Sequence, residues 1–109
     1  MAYNESLASR LRECFARTKD VVEKKMFGSV VFLIHGNLLV GVWKDSLIVR
    51  VGPDNYEDAL LEEHVCEFDV TGRPMKGWIM VEPEGVETDE SLRTWIDRAT
   101  EYVRSLPKK

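Results

Sequence analysis

The stretch VVFLIHGNLLVGVWKDSLIVRV, residues 30–51, consists of three apolar runs separated by two short polar segments. The runs are rich in β-branched and aromatic residues, which favour strands, and they cover residues 30–34, 38–43 and 46–51. The tripeptide HGN at 35–37 contains two residues that tolerate the positive φ of a tight turn, and the dipeptide KD at 44–45 is shorter still. Connections this short join antiparallel neighbours. The stretch therefore predicts a three-stranded antiparallel meander.

Further helices and strands are predicted on both sides of the meander. Apolar residues recur at helical spacing over roughly residues 4–18, where Asn4 is a natural N-cap. A shorter helix is predicted over roughly 54–63, and short strands are predicted over 65–70 and 78–81.

The last helix has the strongest pattern and is predicted to begin near Thr88 or Asp89. Its apolar stripe consists of Leu92, Trp95, Ile96, Ala99, Tyr102, Val103 and Leu106. The complete order is αβββαββα. It predicts a single two-layer α+β domain over residues 1–109, with a mostly antiparallel sheet and helices against one face.

Composition limits the classes of protein that the chain can belong to. A hydrophobic fraction of 44% supports one packed core, and no apolar run approaches the roughly 18 residues of a membrane helix. The first residues do not resemble a secretory signal, and two cysteines are few for a small secreted domain. We therefore expect a soluble protein of the cytoplasm. The net charge of −4 makes nucleic acid an improbable partner, although bases outnumber acids between Arg10 and Lys25.

Residues with catalytic or metal-binding chemistry do not form a known pattern. The sequence has no GxSxG, no phosphate-binding glycine loop and no second pair of ligands near His64 and Cys66 that would complete a zinc site. Cys14 and Cys66 are both expected to be small core residues. We therefore expect no enzymatic activity, no metal and no cofactor.

Two segments, 24–28 and 72–78, each combine cations with a methionine, an aromatic residue and glycine. A glycine-bounded loop with Arg and Lys can hold an anion through charge and backbone N–H groups. Alternatively, the aromatic residues enter the core and the cations extend outward from it. The candidate binding residues are Lys24, Lys25, Arg50, Arg73 and Lys76.

Four sequence motifs resemble the TfoX N-terminal domain family over nearly the whole chain. They are MAYNE at 1–5, EKKMFG at 23–28, VRVGP at 49–53 and GRPMKGW at 72–78. The resemblance implies a two-layer α+β fold and kinship with the TfoX/Sxy regulators of natural competence, which act alongside a transcription factor. Those regulators carry a second, C-terminal domain, and this chain is expected to be a single-domain member without it. The resemblance implies no enzymatic chemistry and no established set of site residues.

Three hypotheses for function follow. The first is a non-enzymatic regulatory or interaction domain that binds a protein partner, with a transcription factor as one candidate. The second is a nucleic-acid binding module similar to YjbR-like domains, supported by the basic segment between Arg10 and Lys25. The third is a small-anion binding domain, or an enzyme of another kind, that uses Arg50, Arg73 and Lys76.

Overall fold

The computed structural model of the protein describes residues 4–26, 29–68 and 76–107. Its helices are α1 (Glu5–Cys14), α2 (Tyr56–Leu60) and α3 (Asp89–Arg104), and a 3-10 turn spans Pro83–Val86. Its strands are β1 (Val21–Met26), β2 (Ser29–Ile34), β3 (Asn37–Trp43), β4 (Ser46–Arg50), β5 (Val65–Glu67) and β6 (Trp78–Val81). None of the described helices is long and apolar enough to cross a bilayer.

All six strands belong to one antiparallel sheet with the order β1-β2-β3-β4-β6-β5. The first four strands follow the chain order, because only two residues separate each strand from the next. His35 and Gly36 in one turn, and Lys44 in the next, have the positive φ that tight turns require. The predicted meander, the α+β class and the antiparallel sheet are therefore confirmed.

The three helices pack on the same face of the sheet. The core residues that they contribute are Leu7, Ala8, Leu11, Tyr56, Ala59, Leu92, Trp95, Ile96, Ala99 and Val103. The side chain of Asn4 caps α1 by accepting the N–H of Leu7 at 3.2 Å, and that of Thr88 caps α3 by accepting the N–H of Ser91 at 3.0 Å. Both caps satisfy amides that have no partner within the helix, so the predicted N-cap and the predicted start of the last helix are confirmed.

Strand β1 is an element that the sequence pattern did not predict. Its sequence, VVEKKM, lacks the apolar alternation of a half-buried strand, and yet all six residues pair with β2, from Val21 opposite Ile34 to Met26 opposite Ser29. Pairing with an apolar neighbour overrides weak strand propensity in this segment. The true order is therefore αββββαββα, with one strand more than predicted.

Helices α1 and α2 are both shorter than their sequence patterns predicted. Helix α1 stops at Cys14, and the ring of Phe15 then packs on Phe32 with the ring centroids 5.3 Å apart. Helix α2 begins only at Tyr56, because residues 53–55 form a turn first.

The expectation that both cysteines are core residues is wrong for Cys66 and only partly met by Cys14. Cys66 is exposed on the edge strand β5, and Cys14 is half-buried at the end of α1. A three-residue edge strand has a neighbour on one side only, so its middle residue gains little cover from the sheet.

The second face of the sheet, which points away from the helices, is called the outer face below. Strand pairing arranges its side chains in rows across the sheet, and two of these rows extend from β1 to β6. The first row contains Val22, Leu33, Leu38, Arg50 and Trp78, and the second contains Lys24, Val31, Gly41, Ile48, Met80 and Cys66. Val31 and Ile48 are each only 5% exposed although they lie outside the main core, whereas Val22 is 53% exposed. The outer face is thus largely apolar.

Candidate functional site

The structure does not gather the four described candidate binding residues into one site. Lys24 and Lys25 follow each other in β1 and therefore project to opposite faces of the sheet, with Lys24 on the outer face. Arg50 lies in the outer-face row at the end of β4, and Lys76 is exposed immediately before β6. Arg73 lies outside the described residues. Arg50 pairs with Trp78, two residues after Lys76, so the backbones of Arg50 and Lys76 lie at the same end of the sheet.

Arg50 stacks between two aromatic rings. Its guanidinium carbon lies 5.1 Å from the ring centroid of Trp78 and 5.9 Å from that of Tyr102. One guanidinium nitrogen donates a long hydrogen bond of 3.4 Å to the carbonyl oxygen of Leu38. The ring of Phe68 extends the group, with its centroid 6.4 Å from that of Trp78. These four residues, Arg50, Phe68, Trp78 and Tyr102, are called the Arg50 cluster below.

All four side chains of the Arg50 cluster are only partly buried. Trp78 was expected to be a buried packing residue, and it is half-buried because it lies on the outer face rather than in the core. Stacking of Arg on an aromatic ring orients the guanidinium while leaving much of its edge available for hydrogen bonds. The cluster can therefore offer a partner both a flat apolar surface and a fixed positive charge.

Two glycines hold the backbone that carries this cluster. The carbonyl oxygen of Gly77 accepts the N–H groups of Val51 at 2.9 Å and Gly52 at 3.1 Å. Gly52 and Gly77 have φ values of 89° and 97°. A Cβ atom on Gly52 would lie 2.5 Å from the ring of Tyr102, so only glycine fits there. The motif VRVGP and the last three residues of GRPMKGW, 76–78, thus meet at one end of the sheet although they are distant in sequence.

The basic segment between Arg10 and Lys25 is partly neutralised by ion pairs. Arg10 lies 3.4 Å from Asp89, and Arg12 lies 2.8 Å from Glu23 and 2.6 Å from Glu5. The hydrogen bond from Arg12 lowers the pKa of the Glu23 carboxyl, and the same pairing raises the pKa of Arg12. Four bases of this segment make no ion pair within the described residues, namely Arg17, Lys19, Lys24 and Lys25.

A shallow groove of about 640 Å³ lies between α3 and the segments around the 3-10 turn. Its acidic lining residues are Glu62, Glu63, Glu84 and Glu90. Arg98 crosses the groove, binding Glu62 at 2.8 Å and stacking 4.2 Å from the ring centroid of Trp95. Across residues 4–26, 29–68 and 76–107, no group of three His, Cys, Asp or Glu side chains could hold a metal ion.

The fold and the Arg50 cluster define a two-layer α+β domain whose outer sheet face is apolar and only partly covered. The family model of the TfoX N-terminal domain matches residues 13–102, and the chain belongs to this family. The matched region contains the whole sheet and most of α3. No curated protein and no solved structure gives a significant match.

Sequence reasoning found Arg50 but missed two other members of the Arg50 cluster. Tyr102 was assigned to the apolar stripe of the last helix, and Phe68 was assigned to a strand that ends one residue earlier in the structure. A weak signal was present for Tyr102, because a tyrosine near the end of an amphipathic helix has a polar hydroxyl that favours a partly exposed position. No local signal could place that ring beside Gly52.

Proposed function

We propose that this chain is a non-enzymatic regulatory or interaction domain that binds a protein partner through its outer face, centred on the Arg50 cluster. The single observation that carries the proposal is a partly exposed arginine that stacks between the ring of Trp78 on the apolar outer face and the ring of Tyr102 near the end of α3, with the ring of Phe68 beside Trp78. Arg, Trp and Tyr are the residues most enriched among those that dominate binding energy at protein interfaces.

The surroundings of the cluster favour a protein partner. Leu33, Leu38 and Met80 are half-buried beside it, and Val22 extends the apolar surface to the sheet edge. An apolar centre with a polar rim is the common composition of such interfaces. Membership of the TfoX N-terminal domain family supports a role like that of the competence regulators, and a transcription factor is a candidate partner class by that resemblance.

The charge distribution supports a protein partner over a nucleic acid. The net charge is −4, and two arginines of the basic segment, Arg10 and Arg12, already bind carboxylates of the domain itself. Phosphate contacts require cations that can exchange their counterions for the nucleic-acid backbone. Two of the six bases in this segment are therefore already engaged within the domain.

The test is affinity capture from a lysate of the source organism with matched baits. The wild-type domain should retain a specific protein, and the Arg50→Ala variant should lose it. The control bait is Arg93→Ala, since Arg93 is an exposed arginine on α3, away from the cluster. Circular dichroism should show that both variants stay folded. Equal capture by Arg50→Ala and Arg93→Ala would refute the outer face as the binding surface, and the absence of any specific protein would refute the proposal altogether.

A further inference from the structure

The proposed function leaves open which kind of protein segment the domain recognises, and strand β1 bears on that question. β1 forms one edge of the sheet, and among its residues Val22, Glu23, Lys24 and Lys25 are exposed. The opposite edge, β5, is only three residues long. A six-residue edge presents a row of backbone groups that can pair with another strand.

The orientation of the edge backbone follows from one hydrogen bond. The N–H of Val21 donates to the carbonyl oxygen of Thr18 at 3.4 Å, and so it points away from β2. Alternate residues of an antiparallel strand share the same orientation, so the N–H and C=O groups of Glu23 and Lys25 also point outward. Within the described part of the chain, no group accepts those two N–H groups. Two adjacent pairs of outward donors and acceptors are therefore ready for an added strand.

A second copy of this chain fits the edge less well than an acidic strand. Two identical strands related by a two-fold axis pair so that the residue at the centre faces its own counterpart. The register centred on Lys24 places Glu23 opposite Lys25 of the second copy, but it leaves the two Lys24 ammonium groups directly opposite one another, which is destabilising. Registers centred on Glu23 or Lys25 also place identical charges opposite one another, and a register centred on Val22 relies on Val21, whose N–H is already bonded to Thr18. Each charged register of a second copy therefore contains a like-charge contact that an acidic strand avoids.

The same charges fit a strand of opposite sign. Lys24 and Lys25 project to opposite faces and make no ion pair within the described residues. Glu23, by contrast, is already paired with Arg12 at 2.8 Å. Two consecutive acidic residues on an added strand would also project to opposite faces and would meet both lysines. The position opposite Glu23 should be neutral.

We infer that the β1 edge binds an extended segment of a partner protein that carries two consecutive acidic residues, and that this segment adds a seventh strand to the sheet. Strand addition supplies affinity through main-chain hydrogen bonds, while alternate side chains supply specificity. An acidic strand neutralises both lysines, whereas a second copy leaves like charges opposite one another, so charge favours the acidic strand. The inference rests on the proposed function, since it specifies the chemistry of the protein partner, and the added strand would continue the outer face at Val22.

The test uses defined peptides with the intact, ¹⁵N-labelled domain. The probe is a capped eight-residue peptide of alternating Thr and Val with Glu-Glu at its centre, at millimolar concentration. It should slow hydrogen exchange of the Glu23 and Lys25 amides about tenfold, because these amides become bonded in the complex. The same peptide with Lys-Lys at its centre should have no effect, and a version with N-methylated backbone amides should also fail.

The double variant Lys24→Glu/Lys25→Glu should reverse the preference and bind the Lys-Lys peptide. Both side chains are exposed, so the variant should fold normally. Unchanged exchange at Glu23 and Lys25 with the Glu-Glu peptide overturns the inference. So does equal binding of the N-methylated peptide, which would show that side-chain charge acts without strand pairing. Concentration-dependent self-association of the wild type that this variant abolishes would identify a second copy as the occupant and also overturn it.

The two proposals can fail separately. A captured partner that is lost with Arg50→Ala but retained by Lys24→Glu/Lys25→Glu would leave the proposed function intact and overturn the edge-strand inference. Slowed exchange with the Glu-Glu peptide, together with no captured protein that depends on Arg50, would overturn the proposed function alone.

Discussion

Replacing Trp95 with alanine should remove a large part of the stability of this domain. Trp95 lies midway along α3, is only 6% exposed, and belongs to the main core. A buried tryptophan removes about 200 Å² from water, which at about 25 cal/mol per Å² corresponds to about 5 kcal/mol before relaxation of the cavity. Measured Trp→Ala losses in cores are about 3–5 kcal/mol. Domains of this size have a free energy of unfolding of about 5–15 kcal/mol. If the wild type lies at the lower end of this range, the variant should be close to unfolding.

Urea denaturation followed by far-ultraviolet circular dichroism measures this loss without depending on tryptophan fluorescence. With an m-value of about 2 kcal/mol/M, a loss of about 4 kcal/mol should lower the midpoint by about 2 M. The matched control is Asp97→Ala, an exposed change two residues further along the same helix, which should stay within about 0.5 kcal/mol of the wild type. A loss below about 1 kcal/mol for Trp95→Ala would mean that the ring is not packed as described.

Three further perturbations test other parts of the description. Gly52→Ala should lower the free energy of unfolding by about 2 kcal/mol or more, because it adds a clash with Tyr102 to the strain of a positive φ. Gly36→Ala, at a φ of 81°, should lower it by about 1 kcal/mol, because only the strain applies there. Equal shifts of the denaturation midpoint for the two variants would exclude the clash. Glu23→Gln should lower the melting temperature at neutral pH. Since Arg12 lowers the folded-state pKa of Glu23, this stabilisation is present above the ordinary value of about 4.3 and is lost as pH falls through the lower folded value. The melting-temperature difference should therefore vanish in acid, and a constant difference would refute the ion-pair explanation. Duplex DNA titrated by fluorescence anisotropy at physiological salt should not bind near 10⁻⁸ M, which is about the affinity of specific DNA-binding proteins, and tight binding that weakens steeply with salt would favour the nucleic-acid hypothesis.

The central sheet could be predicted because its signals are local. Turn residues at 35–37 and 44–45 lie directly between apolar runs, and tight turns fix antiparallel pairing without reference to the rest of the chain. The stripe of α3 was equally clear, since five of its seven residues are buried and Tyr102 and Leu106 are half-buried. Strand β1 lacks such a signal. Its residues Glu23, Lys24 and Lys25 belong to a strand only because β2 lies beside them.

The candidate site was predictable only in part, because its contacts are distant in sequence. Arg50 was named as a candidate binding residue, and Trp78 as an aromatic residue in a glycine-bounded segment. Their stacking depends on the pairing of β4 with β6, which the sequence order alone leaves open. The contact with Tyr102 depends in addition on how far α3 extends over the sheet. Tertiary packing determines both contacts of Arg50, and local strand or helix propensity predicts neither of them.

Lys24 and Lys25, which make no ion pair within the described residues, affect where an acidic partner would approach the domain. The molecule as a whole is negative, and its acidic residues concentrate around α2 and the 3-10 turn, so an acidic segment is repelled by most of the surface. At the β1 edge, Lys24 and Lys25 reverse the local sign. Salt screens charges separated by more than about 8 Å at physiological ionic strength, so it weakens the overall repulsion more than a close contact with the two lysines. Binding of an acidic segment would therefore be favoured at the β1 edge, next to the apolar outer face. The charge distribution would thus select how the partner is oriented on the domain as well as which partner binds.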